Sequence, residues 1–272
     1  SAGYNVFPYV KLADPVSGAE DMEIQTQVKT VGAAFPLMFQ DGKIMVLNQL
    51  SYRRVDFQYK GLAEGDPLSS DLDRAISINY TAFMLDSLSE KWTMVAVLIP
   101  GFASDFKADK ITGDDFTLQA IFGYIRKYSE NFQLGAGLAY MRDFGRPIPL
   151  PFIYFDWNNG DKLSASGLVP MDMTAVYKLN SKIDLMLAFK VFGDRHHGDP
   201  DIFTPTKNPQ LEYSEGTLSP SVNIHLKQWL HINIEAGYAA YRNLEFLDGD
   251  KTEASYDLEK TAYYRINLVM GM

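Results

Sequence analysis

The chain has no cysteine among its 272 residues. Disulfides, thiolate metal sites and cysteine nucleophiles are therefore excluded, and a cysteine-free chain suits passage through an oxidising periplasm. No apolar run approaches the roughly 20 residues of a membrane-spanning helix. That excludes a helical membrane protein but not a barrel, whose alternating strands average to near-neutral hydropathy; the mean hydropathy here is −0.15. Positive charge is in short supply: 25 Lys and Arg against 34 Asp and Glu give a net charge of −9. This argues against a nucleic-acid partner, because phosphate contacts need basic patches. The opening residues, SAGYNVF, carry neither a basic n-region nor an apolar h-region. No signal peptide is visible, and the expectation is a mature form after signal-peptide removal. No Pro/Ser/Gly-rich linker divides the chain, so residues 1–272 are expected to form a single domain.

Aromatic residues are plentiful: 16 Tyr, 17 Phe and 3 Trp. They favour strands and the interfacial girdles of membrane barrels. The clearest pattern is WLHINIEAGYAAY, residues 229–241. Leu230, Ile232, Ile234, Ala236, Tyr238 and Ala240 fall on one side of an extended strand, and His231, Asn233, Glu235, Gly237, Ala239 and Tyr241 on the other. A period of two means a strand with one apolar face. The run is close to the roughly 9–11 residues that a tilted strand needs to cross a bilayer.

The pattern recurs along the chain. Strands are expected over Tyr4–Leu12, Met22–Phe39, Ile44–Tyr59, Arg74–Leu88, Trp92–Phe102, Phe116–Tyr128, Phe132–Phe144, Phe152–Trp157, Lys162–Val169, Met171–Leu179, Ile183–Phe192, Leu211–Lys227, Trp229–Tyr241 and Tyr256–Met272. The phase of the third slips near Tyr52–Arg54, which suggests a β-bulge. Short turns such as Gln40-Asp41-Gly42-Lys43, with its Asp-Gly hairpin signal, alternate with long polar loops such as Ala103–Asp115 and His196–Gln210. That asymmetry is typical of outer-membrane barrels. The fold class expected is all-β, a transmembrane antiparallel up-and-down β-barrel. The count is fourteen strands if Tyr4–Leu12 is a strand and Pro170 separates two others, and twelve if both assignments fail. A lipocalin-like barrel or a large β-sandwich also alternates, but the strand lengths and turn asymmetry favour the membrane barrel. Trp92, Trp157 and Trp229 lie beside turns, as an interfacial girdle requires.

The segments YNVFPYVKL (4–12), FPLMFQDGKIMVLNQLSY (35–52), GAGLAYMRDFGRPIPLPFIYFDWNNGDK (135–162) and LVPMDMTAVYKLNSKIDLMLAFKVFG (168–193) carry a further signal. Through its Pro-rich bend, its Trp-Asn-Asn turn and its Pro170…Tyr177 strand, the chain resembles a family of uncharacterised outer-membrane β-barrel proteins of Gram-negative bacteria. The resemblance implies fold and location, and brings no catalytic residues with it.

The residues expected to face the lumen are Glu23, Gln25, Gln27, Lys29, Ser77, Asn79, Gln119, Gln133, Asp184, Lys190, Asn223, His225, His231, Asn233, Glu235, Arg265 and Asn267. In a wet bore such residues tune selectivity; in a narrow one they plug it as ion pairs and hydrogen bonds. The first case implies a passive, porin-like channel for small solutes, the second a closed barrel acting as a structural or accessory subunit of an outer-membrane complex. His196 and His197, beside Asp194, Asp199 and Asp201, are weak metal-ligand candidates, because their spacing fixes no ligand geometry. Ser219 and Ser221 share a strand with Asn223 and His225, the residue types of a lipase-like site. Their inward facing speaks for a hydrogen-bonded lumen network instead. No enzyme activity and no cofactor is expected; the expected partners are outer-membrane lipid and lipopolysaccharide, with other outer-membrane proteins under the accessory reading.

Overall fold

A computed structural model of the chain describes residues 1–13, 21–61, 73–106, 111, 113–141, 148–197, 209–249 and 251–271. Its strands are β1 (Ala2–Lys11), β2 (Glu23–Phe39), β3 (Ile44–Lys60), β4 (Arg74–Ser87), β5 (Trp92–Ser104), β6 (Phe116–Ser129), β7 (Phe132–Met141), β8 (Ile148–Asn158), β9 (Leu163–Val169), β10 (Asp172–Asn180), β11 (Ile183–His197), β12 (Pro209–Lys227), β13 (Leu230–Asp248), β14 (Lys251–Asp257) and β15 (Thr261–Met270). Each strand from β1 to β13 pairs antiparallel with the next, and β15 closes the ring between β13 and β1. β14 pairs with the far end of β13 and β15 with its near end, so the two are halves of one stave, interrupted where Leu258 bridges Leu12. The result is a closed, antiparallel, fourteen-stave all-β barrel. Closure gives every stave two paired neighbours over its lower part, the condition for a sheet to sit in lipid.

All the tight turns of one rim were legible in sequence. Gln40, Asp41 and Gly42 all take positive φ, and Gly42 and Lys43 donate to the carbonyls of Phe39 and Gln40. Ser89, Ser129, Asn158, Asn159 and Asn180 each accept a backbone N–H within their own turn. Trp92, Trp157 and Trp229 stand at this rim with outward, exposed rings, the first and last under Arg126 and Lys227. Long connections occupy the opposite rim.

Along β2, β3 and β13 the polarity of the two faces inverts part-way up. On β2, the outer residues Val31, Phe35, Leu37 and Phe39 are apolar and exposed, but above them the outer face carries Glu23, Gln25, Gln27 and Lys29. The inner face does the opposite, and Ile24, Thr26 and Val28 are buried. Arg242 donates to Thr26 from β13, across the interior, which fixes the direction of that face. Glu23, Gln25, Gln27 and Lys29 therefore point outward, contrary to the sequence expectation. The reason is a change of medium. Within the apolar belt the outer face meets lipid, whereas above it the outer face meets water and the inner face packs as a core.

The same inversion accounts for the phase slip on β3. No bulge occurs at Tyr52–Arg54; pairing with β2 and β4 runs unbroken through it. Ile44, Val46, Leu50 and Tyr52 face out below, Arg54 and Asp56 face out above, and Val55 and Phe57 turn into the core. Above the belt, Asp56 accepts from Lys29 (2.9 Å) and Arg54 (2.5 Å). Burial alone raises the Asp56 carboxyl, but those two cations outweigh it and hold it below the usual carboxylate range. The belt spans Val31–Phe39 on β2 and Ile44–Tyr52 on β3, close to the roughly 9–11 residues that cross a bilayer.

The wall is uneven in height. β12 and β13 have 19 residues each, whereas β9 has 7 and β10 has 9. β9 stops opposite Ile153, so the top of β8 is paired only with β7. This explains why the Pro-rich bend expected at 145–151 is, from Ile148 on, part of a strand: Pro149 and Pro151 lie where β8 has one neighbour, as proline in a sheet requires. On the tall side, the two histidines expected in a loop extend β11, paired with Leu211 and Gln210. There His197 meets Ser104 of β5, which is not its neighbour in the wall: its carbonyl accepts from Ser104 Oγ (3.1 Å) and Asp105 N (3.3 Å). This contact pinches the long-loop rim.

The inversion predicts opposite tolerance to charge on one outer surface. Leu187→Arg, within the belt, should cost about 2–4 kcal/mol, and Gln25→Arg, above it, no more than about 0.5 kcal/mol. Urea unfolding from phospholipid vesicles measures both; equal costs would contradict the assignment of the two zones.

Candidate functional site: the barrel interior

The interior divides into three levels. Nearest the short-turn rim, Asp184 Oδ2 lies 2.7 Å from His225 Nε2, and the His225 and His231 rings meet edge to face at 4.5 Å. Asn233 donates to Ser221 Oγ (3.2 Å), and Asn267 donates to Asn233 (3.4 Å). Among the described residues neither Ser219 nor Ser221 bonds a histidine, so the lipase-like arrangement does not form and the group is a hydrogen-bonded network. Its residues come together because Asp184, Asn223 and Asn233 are directly opposite one another in the register of β11, β12 and β13.

At mid-height, Glu235 accepts from the Tyr263 hydroxyl and stands 3.3 Å from Arg265 Nη1. The Tyr263 ring lies over Gly237, where a Cβ would come within 2.4 Å of it. Glycine at 237 thus makes the space that lets a wholly buried tyrosine reach Glu235. Above and beside this pair is a chamber of about 510 Å³ lined by Asn5, Arg53, Lys190, Glu215, Arg265 and Asn267 among others. A second chamber of about 470 Å³ lies against β4–β9 and is lined chiefly by Phe83, Val95, Val97, Ile121, Phe152 and Leu168, with Gln133 at its wall. The Phe152 ring fits over Gly123 and Gly137, where Cβ atoms would stand 2.8 and 2.7 Å from it.

Toward the long-loop rim the interior is filled. Phe7, Ile24, Val55, Phe57, Leu211, Tyr213, Leu244 and Phe246 form a core contributed by β1–β3, β12 and β13. Arg242, 1% exposed, threads it. Its Nε donates to Tyr213 OH (3.2 Å), its Nη2 donates to Thr26 Oγ1 (2.8 Å), and the guanidinium lies 4.3 Å from the Phe7 ring centre. Tyr213 in turn donates to Glu215 (2.6 Å). Arg53 of β3 reaches across to β11 and stacks 3.4 Å from the Phe192 ring centre.

Of the residues expected to line the lumen, Ser77, Asn79, Gln119, Gln133, Asp184, Lys190, Asn223, His225, His231, Asn233, Glu235, Arg265 and Asn267 occupy the inner face. His196 and His197 are adjacent on one strand and so face opposite ways. His196 lies 3.5 Å from Asp194 and His197 lies 3.3 Å from Asp115, so the two cannot share one ion, and among the described residues no three His, Cys, Asp or Glu side chains gather. Asp199 and Asp201 lie outside the described residues.

Sequence reasoning missed Asn5, Arg53, Glu215 and Arg242. Arg242 was hidden by an irregularity: pairing slips between Gly216 and Thr217, so Tyr241, expected inward, is exposed outside and Arg242 takes the inner position. The signal for Arg53 was present in Arg53-Arg54, because one residue of any adjacent pair on a strand must face in.

Removing the hydroxyl over Gly237 tests the middle level. Tyr263→Phe leaves Glu235 buried with Arg265 as its remaining partner and should cost about 1.5–3 kcal/mol, read as an earlier denaturant midpoint with an unchanged slope.

Comparison with known proteins adds the following. Among curated proteins, none matches the sequence. Two solved barrels align over 100% of this chain at 10% identity. One is the NanC porin in a rhombohedral crystal form, with 100% of its chain covered and a TM-score of 0.40. The other is a deltaS2 mutant of the TodX monoaromatic hydrocarbon channel, with 88% covered and a TM-score of 0.44. A family model described as a domain of unknown function, DUF6268, matches residues 7–272, and the chain belongs to that family.

Proposed function

We propose that this protein is a single-domain barrel of a Gram-negative outer membrane and that it serves as a narrow, selective passage for small solutes. The observation that carries the reading is the mid-height chamber lined by Arg53, Lys190, Glu215 and Arg265, set inside a wall with a bilayer-high apolar belt. Mixed charge around a restricted cavity favours selected solutes over bulk flow. The belt and its tryptophan rim would be solvated by membrane lipid, and the polar outer face above it by the lipopolysaccharide headgroup layer. The reading is non-enzymatic: the interior acids are held by Tyr213, Tyr263, Arg265 and His225, in pairs that brace the wall.

The filled upper interior supports a second reading, in which the barrel is closed and acts as a structural or accessory subunit. Swelling of proteoliposomes in isotonic small solutes separates the two. Passage predicts swelling above protein-free vesicles, and faster swelling for Arg53→Ala, which removes the side chain reaching Phe192 across the interior. A protein that inserts, shows heat-modifiable migration and swells with no solute would sink the passage and leave the accessory role.

A further inference from the structure

The two chambers differ in chemistry and share a wall. Leu168 lines both. Around it Met141, Met171, Phe152, Tyr154 and Ile121 form one packed apolar cluster, so the polar chamber is separated from the apolar one only by a few adaptable side chains, two of them methionines. The charges of the polar chamber are not matched pairwise. Glu215 is engaged by Tyr213, Asp172 by Thr174 (3.4 Å), and Glu235 by Tyr263 and Arg265. Among the described residues, Arg53 and Lys190 make no ion pair, although Glu215 and Asp194 stand near enough to Arg53 to act on it at longer range. Asn5, 3% exposed in the same lining, has no partner for either end of its amide, and Arg53 Nε has none. Buried donors without partners are rare and costly.

We propose that the two adjoining chambers together bind a single-chain amphiphile with an anionic head, the side chains of their shared wall moving aside for its chain. The head sits between Arg53, Lys190 and Asn5, and the chain lies along Leu168 into the space bounded by Val95, Val97, Ile121 and Phe152. The wall supports this assignment. Met171 and Asp172, at the short β9–β10 turn, line the polar chamber. The head site therefore stands beside the lowest stretch of wall, where β9 and β10 have 7 and 9 residues against 19 in β12 and β13. An apolar pocket with a few convergent polar groups is the usual form of a small-ligand site.

This deepens the proposed passage by naming what its chamber takes, and it rests on that reading. The test is equilibrium binding to the full chain in nanodiscs of zwitterionic lipid, with decanoate, decanol and acetate as probes. Decanoate should bind saturably, about tenfold or more tighter than decanol, and acetate should not bind measurably. Arg53→Met and Lys190→Met should each weaken decanoate about tenfold and leave decanol unchanged. Ile121→Trp, which fills the apolar chamber, should abolish decanoate binding; heat-modifiable migration verifies the fold of each variant. Equal affinity for decanoate and decanol, acetate binding that matches decanoate, or binding indifferent to all three substitutions would each overturn the proposal. A disc has no second compartment. Lost binding with intact swelling therefore removes this inference alone, and intact binding without swelling removes the passage alone.

Discussion

The constraint on which this structure depends is the change of medium along its outer surface. Lipid offers no hydrogen bonds, so over the belt the sheet must close and present aliphatic and aromatic side chains outward. Above the belt the same staves stand in water and revert to the soluble rule, polar outside and apolar inside. β2 and β3 obey both rules in turn without any break in pairing, and their side chains simply exchange roles between Thr30 and Arg54. β13 makes the same exchange with a register slip, which carries Arg242 inward.

The form of the interior follows from that exchange. Where the inner face becomes apolar it packs, and Phe7, Phe57, Tyr213 and Phe246 fill the tall side of the barrel. A buried guanidinium in such a core is costly unless it is engaged, and Arg242 is engaged through two of its three nitrogens, Nε on Tyr213 and Nη2 on Thr26, and through the ring of Phe7, while Nη1 has no partner. Space survives lower down, where the inner face is polar on the side of β11–β13 and apolar on the side of β4–β9. The low β9–β10 hairpin and the β5–β11 contact then divide the long-loop rim into a tall, packed part and a low part beside the chambers. Two glycine–ring fits, Tyr263 on Gly237 and Phe152 on Gly123 and Gly137, set how far each lining ring leans into the interior.

Much of this was legible from period-two alternation alone. The fourteen staves, the short-turn rim, the tryptophan positions and thirteen inward polar residues follow from which side chains alternate, because facing on a strand is a local property. Polar rows were misread only where polarity and facing part company. Glu23, Gln25, Gln27 and Lys29 were assigned inward on the premise that polar means lumen, a premise that holds only inside the lipid belt. The β3 bulge was inferred from the same premise applied across the boundary.

The sequence by itself determined the class of sheet, a count of twelve or fourteen staves and the facing of the regular stretches within the lipid belt, since these depend on neighbours in the chain and on turn chemistry. Only the tertiary structure decided where lipid ends and water begins, that Arg53 meets Phe192 and Arg242 meets Thr26, and that the interior holds two chambers of different character. Those contacts join residues on staves that are not neighbours, through side chains that span the interior. Their meeting depends on stagger and wall height, which are set by the whole ring rather than by any one segment.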